Sequence, residues 1–291
     1  MSKLRYLVLC LFLFSCMQAE ARFQYKVSAA AIFKNEARFL HEWIEYHRLI
    51  GVEHFYLYNN NSEDDFMTIL DPYIATGIVE FFNWPQTYET IPEWGSVQCG
   101  AYEHAIKRSK MDTQWLAILD IDEFLVPVEQ DRLSNVLKEF ENYGGVCVNW
   151  QMYGTSYVDR IASNELMIEK LTRKAPPEYG ENLYVKSIVQ PKKVHSMKDP
   201  HFANYKRKHY QVNTNEQRLV GSISPYIVTD KLMINHYWTK DEDFLHNEKV
   251  KRREGWSEGY MNIMIRAENL NQVEDTIMQR FVPSLRKRMG L

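Results

Sequence analysis

The stretch Trp115-Leu116-Ala117-Ile118-Leu119-Asp120-Ile121-Asp122-Glu123-Phe124-Leu125 decides the fold prediction. Its apolar start, 115–119, predicts a buried strand of a parallel sheet. If that strand continues through Asp122, the two-residue period places Asp120 and Asp122 on one face, with Ile121 opposite. Two adjacent carboxylates repel unless a cation, a shared proton or a donor lies between them. At the carboxyl end of a parallel strand, such a pair favours Mg²⁺ or Mn²⁺ that carries a diphosphate.

Composition limits the classes of protein that remain. The 291 residues can form one large α/β domain or two small ones. Hydrophobic residues make up 45 % of the chain and aromatic residues 13 %, which supports a sizeable core with aromatic side chains left for a cleft. The formal net charge is −3. That charge gives no electrostatic basis for binding nucleic acid, so we predict no nucleic-acid partner.

The amino terminus has the pattern of an export signal. A basic start, an apolar run over 7–14 and a small-x-small cleavage site over 19–21 predict a signal peptide covering 1–21. Leu13-Phe14-Ser15-Cys16 also resembles an imperfect lipoprotein box, which would leave Cys16 lipidated. An uncleaved anchor is the third alternative and would associate the protein with a membrane. Each alternative predicts an exported protein: periplasmic, secreted, lipid-anchored or held in a secretory lumen.

Strand and helix patterns alternate from residue 25 to about 150. The predicted strands are 25–33, 55–58, 78–82, 115–119 and 146–150, and the predicted helices are 36–50, 63–73, 96–108 and 133–140. Such alternation predicts an α/β fold with a doubly wound, mostly parallel sheet, helices on both faces, and ligands beyond the carboxyl ends of the strands. The sequence contains neither a Gly-x-Gly-x-x-Gly motif nor a Walker loop. Phosphate must therefore be held by another device, which again favours a metal.

The rest of the chain predicts no second domain. Further strands are expected over 185–189 and 226–234, and from about 241 the chain is predicted to be helical, with charges on a solvated face. Residues 22–291 are therefore expected to form one domain. Asn35 is predicted to cap the first helix, with Glu36 in its first turn. His47 lies on the apolar face of that helix, which favours a core histidine over a ligand.

An ordered set of short motifs indicates a family. The set comprises 32–36, 41–43, His47, 51–60, 119–125 and 234–237. Together these motifs resemble glycosyltransferase family 92 and its bacterial relatives in the wider family 2 group, over about residues 26 to 255. The resemblance implies a GT-A type fold, a nucleotide-diphosphate sugar donor, foremost a UDP-sugar, and a glycan or glycoconjugate acceptor. It also implies Mn²⁺ or Mg²⁺ as the cofactor and inversion at the anomeric carbon.

The resemblance extends to single residues on the nucleotide side. Lys34, Asn35 and Glu36 match the end of the family's first strand, where the base and ribose lie. Asn59 and Asn61 match the end of the second strand. An amide can recognise a uracil-like edge because it both donates and accepts hydrogen bonds. The alternative for residues 59–61 is a turn that tolerates a left-handed backbone.

On the metal side, Asp120 and Asp122 match the metal motif, and with Glu123 they are the predicted catalytic residues. His236 matches a late histidine that returns to the metal or the diphosphate, and neutral imidazole is a suitable third ligand for Mn²⁺. The alternative for His236 is a core histidine. Lys186 is predicted to pair with phosphate, and a place for His195 near the metal is the weaker suggestion.

Three further features leave alternatives open. Gln98 and Tyr102 match a helix face that approaches the donor, although both types are also common on helix surfaces. Trp150 and Tyr153 are candidates for stacking on an acceptor sugar or for plain core packing. An inverting transfer needs a carboxylate near the acceptor hydroxyl. Three acids lie in the expected region, and none sits in a motif that singles it out: Asp159, Glu165 and Glu178.

Two other classes of function compete. The first is a non-catalytic carbohydrate-binding protein on the same scaffold, which would be expected to lose the Asp120 and Asp122 pair that is intact here. The second is a metal-dependent phosphohydrolase or nucleotidyltransferase, which would need more clustered metal ligands than the sequence offers. A glycosyltransferase is therefore the favoured prediction.

Overall fold

The computed structural model describes residues 23–254 and 259–291. The predicted signal peptide, 1–21, lies outside the described residues. Within the described ranges, no helix combines the length and the apolar character needed to cross a membrane.

The strands and helices alternate in the first half of the chain. The strands are β1 (Tyr25–Phe33), β2 (His54–Asn59), β3 (Val79–Asn83), β4 (Thr113–Ile118), β5 (Glu123–Pro127), β6 (Gly145–Met152), β7 (Arg173–Lys174), β8 (Val185–Val189), β9 (Val194–Asp199), β10 (Phe202–Tyr205), β11 (Gln211–Val212), β12 (Arg218–Leu219), β13 (Leu232–His236) and β14 (Val273–Glu274). The α-helices are α1 (Ala37–Leu49), α2 (Phe66–Ala75), α3 (Ile91–Ser109), α4 (Leu133–Leu137), α5 (Met167–Lys170), α6 (Glu242–Phe244), α7 (Val250–Glu254), α8 (Tyr260–Asn269) and α9 (Val282–Met289). Four 3₁₀ turns (Lys138–Phe140, Gly180–Leu183, Pro191–Lys193 and Ile277–Arg280) and one π-helical turn (Leu245–Lys249) complete the described elements.

A single sheet organises these elements. Its strand order is β12-β11-β6-β8-β4-β1-β2-β3, with β13 attached to both β6 and β5. The pairs β4-β1, β1-β2 and β2-β3 are parallel, whereas β8 runs antiparallel between β4 and β6. This mixed α/β architecture with a mostly parallel central sheet confirms the predicted α/β fold class.

The apolar run of β1 is continuous because both faces of the sheet are covered. Val27, Ala29 and Ala31 pack into one buried cluster, which includes Trp43 of α1. Ala30 and Ile32 point to the opposite side and pack with residues of α3. A strand buried on both faces needs no polar alternation. Helices therefore cover both faces of the sheet, as predicted.

The strand predicted over 115–119 does not continue through Asp122. Strand β4 ends at Ile118, and the Leu119 N–H donates to the Ala30 carbonyl at 3.0 Å as the ladder closes. Residues 121 and 122 form a turn, because the Glu123 N–H donates back to the Asp120 carbonyl at 3.1 Å. Strand β5 then starts at once. A local turn hydrogen bond thus replaces the sheet bonds that a longer strand would have required.

The start of α1 also differs from the prediction. Asn35 does not cap the helix, because its backbone has a left-handed φ of 56°. Its side-chain oxygen instead accepts from the Glu63 N–H at 2.9 Å, and the Ala37 N–H donates to Asp64 Oδ2 at 2.7 Å. The loop after β2 therefore supplies the cap that the sequence placed at residue 35.

Two further expectations have opposite outcomes. His47 is fully buried, its Nδ1 bonds to the Trp43 carbonyl at 2.8 Å, and its Nε2 accepts from the Leu125 N–H at 3.3 Å. The prediction of a core histidine is confirmed. The predicted strand over 226–234 is wrong, because β13 begins only at Leu232. Upstream, the Val228 N–H bonds to the Asn149 side chain at 3.1 Å rather than to a strand.

Candidate active site

A cleft of about 230 Å³ lies beyond the carboxyl ends of β1 and β4. Parallel strands β1 and β4 are neighbours, so the loops that follow them share one edge of the sheet. Of the predicted site residues, the following line the cleft: Lys34, Glu36, Gln98, Asp120, Asp122 and His236. The cleft therefore gathers residues from both predicted halves of the site.

Asp120 is held by three protein donors. Lys186 Nζ lies 2.9 Å from Oδ2, while the Tyr102 hydroxyl and Gln98 Nε2 donate to Oδ1 at 2.8 and 3.3 Å. Burial works to raise the pKa of Asp120, but the Lys186 ammonium outweighs it and holds that pKa below its usual range. Gln98 and Tyr102 of α3 and Lys186 of β8, which were predicted to contact the nucleotide sugar, therefore bind the Asp120 carboxylate. Asp120 is an ionised, fixed anion at one wall of the cleft.

Glu123 lies behind the cleft rather than in its lining. Its side chain is fully buried, Oε2 accepts from the Asp120 N–H at 2.9 Å, and Lys186 Nζ is 3.7 Å away. Burial raises the pKa of Glu123 well above its usual range, although the ammonium of Lys186 opposes the shift. The structure therefore gives Glu123, predicted as catalytic, a place from which it fixes the turn that carries Asp120.

Asp122 meets His236 although the two are far apart in sequence. Strand β13 pairs antiparallel with β5, and this register aligns His236 with Glu123, next to Asp122. His236 Nε2 lies 3.4 Å from Asp122 Oδ1, and Lys249 Nζ lies 3.3 Å from Oδ2. Burial would raise the pKa of Asp122, but Lys249 and His236 hold it well below its usual range. Burial in turn lowers the pKa of Lys249 to about 7.

The geometry around Asp122 fits a divalent cation in part. Two ligand atoms at right angles, each about 2.1 Å from one Mg²⁺, lie about 3 Å apart, close to the 3.4 Å between Asp122 Oδ1 and His236 Nε2. The two side chains therefore fit as protein ligands. Among the described residues, no three His, Cys, Asp or Glu side chains cluster closely enough to hold a metal ion. Mg²⁺ commonly takes one or two carboxylates and completes its shell with substrate phosphates and water.

A cationic arm lines the same cleft as this acidic pair. It consists of Lys249, Arg252, Arg253 and Arg266, all of which line the cleft around Trp238. The Arg266 guanidinium lies 3.8 Å from the Trp238 ring centroid, and Lys249 Nζ lies 5.2 Å from it. The prediction of a solvated charged face after residue 241 is wrong for this segment, because Lys249 is buried. Lys249 is paired with Asp122 and Arg266 with Glu181, and Arg252 and Arg253 add further positive charge to the lining, which favours an anionic ligand.

The predicted asparagines lie outside the cleft lining. Asn59 Oδ1 accepts from the Ser62 N–H at 2.9 Å, and Asn61 has a left-handed φ of 55°. Asn35 bonds to the same loop through Glu63. These amides therefore hold the loop between β2 and α2, which favours the turn alternative over direct contact with a nucleotide.

The other predicted residues either line the cleft or lie away from it. Glu36 lines the cleft, where it pairs with the buried Lys240. Trp150 also lines the cleft, and its ring centroid lies 4.4 Å from that of His236. Tyr153 is buried and accepts from the Asn235 amide at 3.0 Å, so core packing is its role. His195 is exposed and lies away from the cleft.

The structure adds residues that the sequence prediction missed. His201 lines the cleft beside Trp150, with ring centroids 5.1 Å apart. It sits between β9 and β10, whose pairing places it, and no short motif marks it. The arm around Trp238 had one available signal, since this aromatic residue follows His236 closely and precedes the basic residues. The acids suggested as a general base, namely Asp159, Glu165 and Glu178, do not line the cleft.

The family model and the sequence relatives that match this chain agree on one family. Residues 24–279 match the family model described as glycosyltransferase family 92. A glycosyltransferase family 92 protein of Ricinus communis is 28 % identical over 177 residues, which cover 59 % of this chain and 30 % of that protein. One of Arabidopsis thaliana is 26 % identical over 228 residues, which cover 74 % of this chain and 35 % of that protein. The chain thus spans about a third of the length of these curated relatives.

Solved structures show a weaker likeness. TarS residues 1–349 from S. aureus, in complex with UDP-GlcNAc, has a TM-score of 0.38 at 11 % identity, over 70 % of this chain and 62 % of that chain. Glucosyl-3-phosphoglycerate synthase from Mycobacterium tuberculosis, with Mn²⁺, UDP and glucosyl-3-phosphoglycerate, has a TM-score of 0.28 at 14 % identity, over 47 % of each chain. Similarity at this level carries no argument about ligands or residue roles.

Proposed function

Because the chain belongs to glycosyltransferase family 92, we propose that it transfers a sugar from a nucleotide-diphosphate donor to a glycan or glycoconjugate acceptor. The donor is foremost a UDP-sugar, and the transfer inverts the anomeric carbon. The diphosphate binds in the cleft that the acidic pair, Asp120 and Asp122, and the cationic arm line together.

One observation carries this proposal: anionic and cationic groups line a single cleft. The lining includes Asp120 and Asp122 together with the arm of Lys249, Arg252, Arg253 and Arg266, and the two groups meet where Lys249 Nζ lies 3.3 Å from Asp122 Oδ2. A diphosphate that brings a divalent cation presents both signs of charge, so the acidic pair and the cationic arm each have a matching partner. A neutral sugar or a lone anion would leave one of these two groups without a counterpart.

The residues of the cleft divide the work. Asp122 and His236 would hold the cation, which when bound neutralises charge on the departing diphosphate. Lys186 keeps Asp120 ionised and in place, and Glu123 fixes the turn below it. The arginines of the arm present planar donors that suit phosphate oxygens. Trp238 stacks against Arg266 and so fixes the direction of that guanidinium.

The test is release of nucleoside diphosphate from a panel of nucleotide sugars, with Mn²⁺, with Mg²⁺ and with EDTA. We expect release with a UDP-sugar that depends on the metal and falls about 100-fold or more in Asp122→Asn. Asp112→Asn is the matched control, because Asp112 pairs with Arg108 at the protein surface, away from the cleft. Release of nucleoside diphosphate in the presence of EDTA would contradict metal dependence. No release from any nucleotide sugar would contradict the proposed transferase activity.

A further inference from the structure

A second groove opens from the cleft and continues away from the diphosphate side. It has a volume of about 650 Å³ and lies between the first half of α3 and the hairpin of β9 and β10. Four residues line both the cleft and the groove, namely Ile91, Trp94, Gln98 and His201. Gln98 also reaches Asp120, with Nε2 3.3 Å from Oδ1. The groove therefore joins the cleft beside the acidic pair.

His201 stands at this junction with one ring nitrogen committed. Its Nδ1 bonds to the Val185 carbonyl at 3.0 Å, so Nδ1 carries the proton and Nε2 keeps a lone pair. No side chain or backbone group in the described ranges donates to Nε2. Burial, followed by the charge of Lys186, lowers the pKa of His201 to about 3, so the ring stays neutral. A neutral imidazole nitrogen at the mouth of a groove accepts a hydrogen bond from a hydroxyl.

The lining of the groove differs in charge from that of the cleft. Lys198 is the one cation that lines it within the described ranges, so it lacks the basic cluster expected for a second phosphate. Its polar groups include Ser96, Glu103 and Asp199. Trp94 forms one wall, and its ring is supported by Tyr88 at a centroid distance of 4.7 Å. An aromatic face next to carboxylates and a hydroxyl suits a ligand rich in hydroxyl groups and without charge.

We propose that this groove binds the carbohydrate acceptor, and that His201 Nε2 accepts a hydrogen bond from an acceptor hydroxyl where the groove meets the cleft. The inference rests on the proposed transferase function, because it names the second substrate of the same site. It places the acceptor on the α3 side and leaves the Trp238 side to the diphosphate.

The groove offers a position at which it can be filled. Gly95 lines it, and a Cβ built there would lie 3.9 Å from Pro200, which is ordinary van der Waals contact. Gly95→Ala therefore fits and also favours the helix. Gly95→Phe adds a bulky ring at a residue that lines the groove and does not line the cleft. These two variants form a matched pair.

The experiment is saturation-transfer difference NMR on the full chain with UDP and Mg²⁺ present, since Mg²⁺ is diamagnetic. The probes are p-nitrophenyl α- and β-glycosides of glucose, galactose, mannose, N-acetylglucosamine and fucose. We expect saturation of at least one glycoside by wild type and Gly95→Ala, and a loss of about tenfold or more in Gly95→Phe. Titration with UDP and a melting curve on each variant show whether the donor site and the fold remain intact.

The outcomes separate the two proposals. If UDP binds and no glycoside is saturated by wild type, or if Gly95→Phe keeps the saturation, the groove proposal is overturned while the transferase stands. If UDP does not bind to wild type, the transferase proposal fails first. For a glycoside that shows saturation transfer, His201→Phe should raise the KM about tenfold, as expected for one lost hydrogen bond, while the KM for the nucleotide sugar stays unchanged. His201→Gln retains an acceptor oxygen and should recover part of that loss, and equal effects of Phe and Gln would contradict the role of Nε2.

Discussion

Replacing Lys186 by methionine should destabilise the fold while leaving its apolar packing largely filled. Lys186 is 1 % exposed, and its ammonium lies 2.9 Å from Asp120 and 3.7 Å from Glu123. Removing one partner of a buried pair costs about 3–5 kcal/mol, because the other charge stays buried without compensation. The Asp120 side chain keeps 28 % of its surface, so water screens part of that charge. We therefore expect a loss of about 3 kcal/mol, at the low end of that range.

The stability difference between wild type and Lys186→Met should also depend on pH. The folded pKa of Asp120 is below its ordinary 3.8, so its contribution is present above that pH and is lost as the pH falls. The folded pKa of Lys186 is above its ordinary 10.5, so its contribution is present below that pH and is lost as the pH rises through the folded value. The difference between wild type and Lys186→Met should therefore be largest between about pH 4 and pH 10.

Urea unfolding at pH 7.5 and pH 3 measures both effects. Lys231→Met is the matched control, since Lys231 pairs with Glu139 at the surface and such pairs contribute about 0–1 kcal/mol. Adding Asp120→Asn to Lys186→Met removes the uncompensated charge and should restore part of the loss. A Lys186→Met protein within about 1 kcal/mol of wild type at pH 7.5 would refute this reasoning about the buried pair.

Three further predictions test other parts of the account. His236→Ala should raise the Mn²⁺ concentration at half-maximal activity about tenfold or more with little change in melting temperature, whereas a lower melting temperature at an unchanged metal midpoint would indicate a core histidine. Burial raises the pKa of Glu42 to about 7, so the folded state binds an extra proton between about pH 4.5 and 7, and the free energy of unfolding should fall as the pH rises through that range. Glu42→Gln should flatten this pH dependence of the urea midpoint, and an equal pH dependence in the variant and wild type would refute the prediction. A Cβ at Gly145 would lie 3.0 Å from the Ile188 carbonyl oxygen and closer still to a neighbouring tyrosine, so Gly145→Ala should lower the free energy of unfolding by about 1–3 kcal/mol. A Cβ at Gly180 would meet nothing within 4 Å, so the control Gly180→Ala should change it by no more than about 0.5 kcal/mol, and equal losses in the two variants would contradict the packing argument.

The sheet could be predicted because its strands carry their own pattern. Strand β1 has the predicted bounds, since its apolar run is buried on both faces and ends where the polar loop begins. The turn at Asp122 could not be predicted, because it depends on a competition between sheet bonds and one local hydrogen bond. Asp120 and Asp122 nevertheless line one cleft, because the turn that carries them follows directly on strand β4.

The cationic arm shows a different limit of sequence reasoning. A helix with 3.6 residues per turn would keep the charges after residue 241 on one solvated face. The chain instead makes a π-helical turn over Leu245–Lys249, which shifts the phase of the residues that follow. Lys249 turns inward as a result, and Arg252 and Arg253 reach the cleft. Such a phase shift has no marker in composition or periodicity.

The roles of single polar residues depended most on tertiary contacts. Asn59 and Asn61 match a family pattern, yet their amides and backbone hold a loop. His201 gains its position from the pairing of β9 with β10 and its tautomer from the Val185 carbonyl. His236 was expected near Asp122, and the β13–β5 register brings the two together. Register between strands distant in sequence therefore decides which polar groups meet.

The central claim is that a nucleoside diphosphate and a divalent cation bind together at Asp122. Calorimetric titration of UDP into the full chain, with and without Mn²⁺, tests this claim directly, with Asp122→Asn and the surface control Asp112→Asn measured in parallel. We expect wild type and Asp112→Asn to bind UDP at least about tenfold more tightly with Mn²⁺ than without it, and Asp122→Asn to lose this gain. Equal UDP affinity with and without Mn²⁺, or an unchanged gain in Asp122→Asn, would contradict the account.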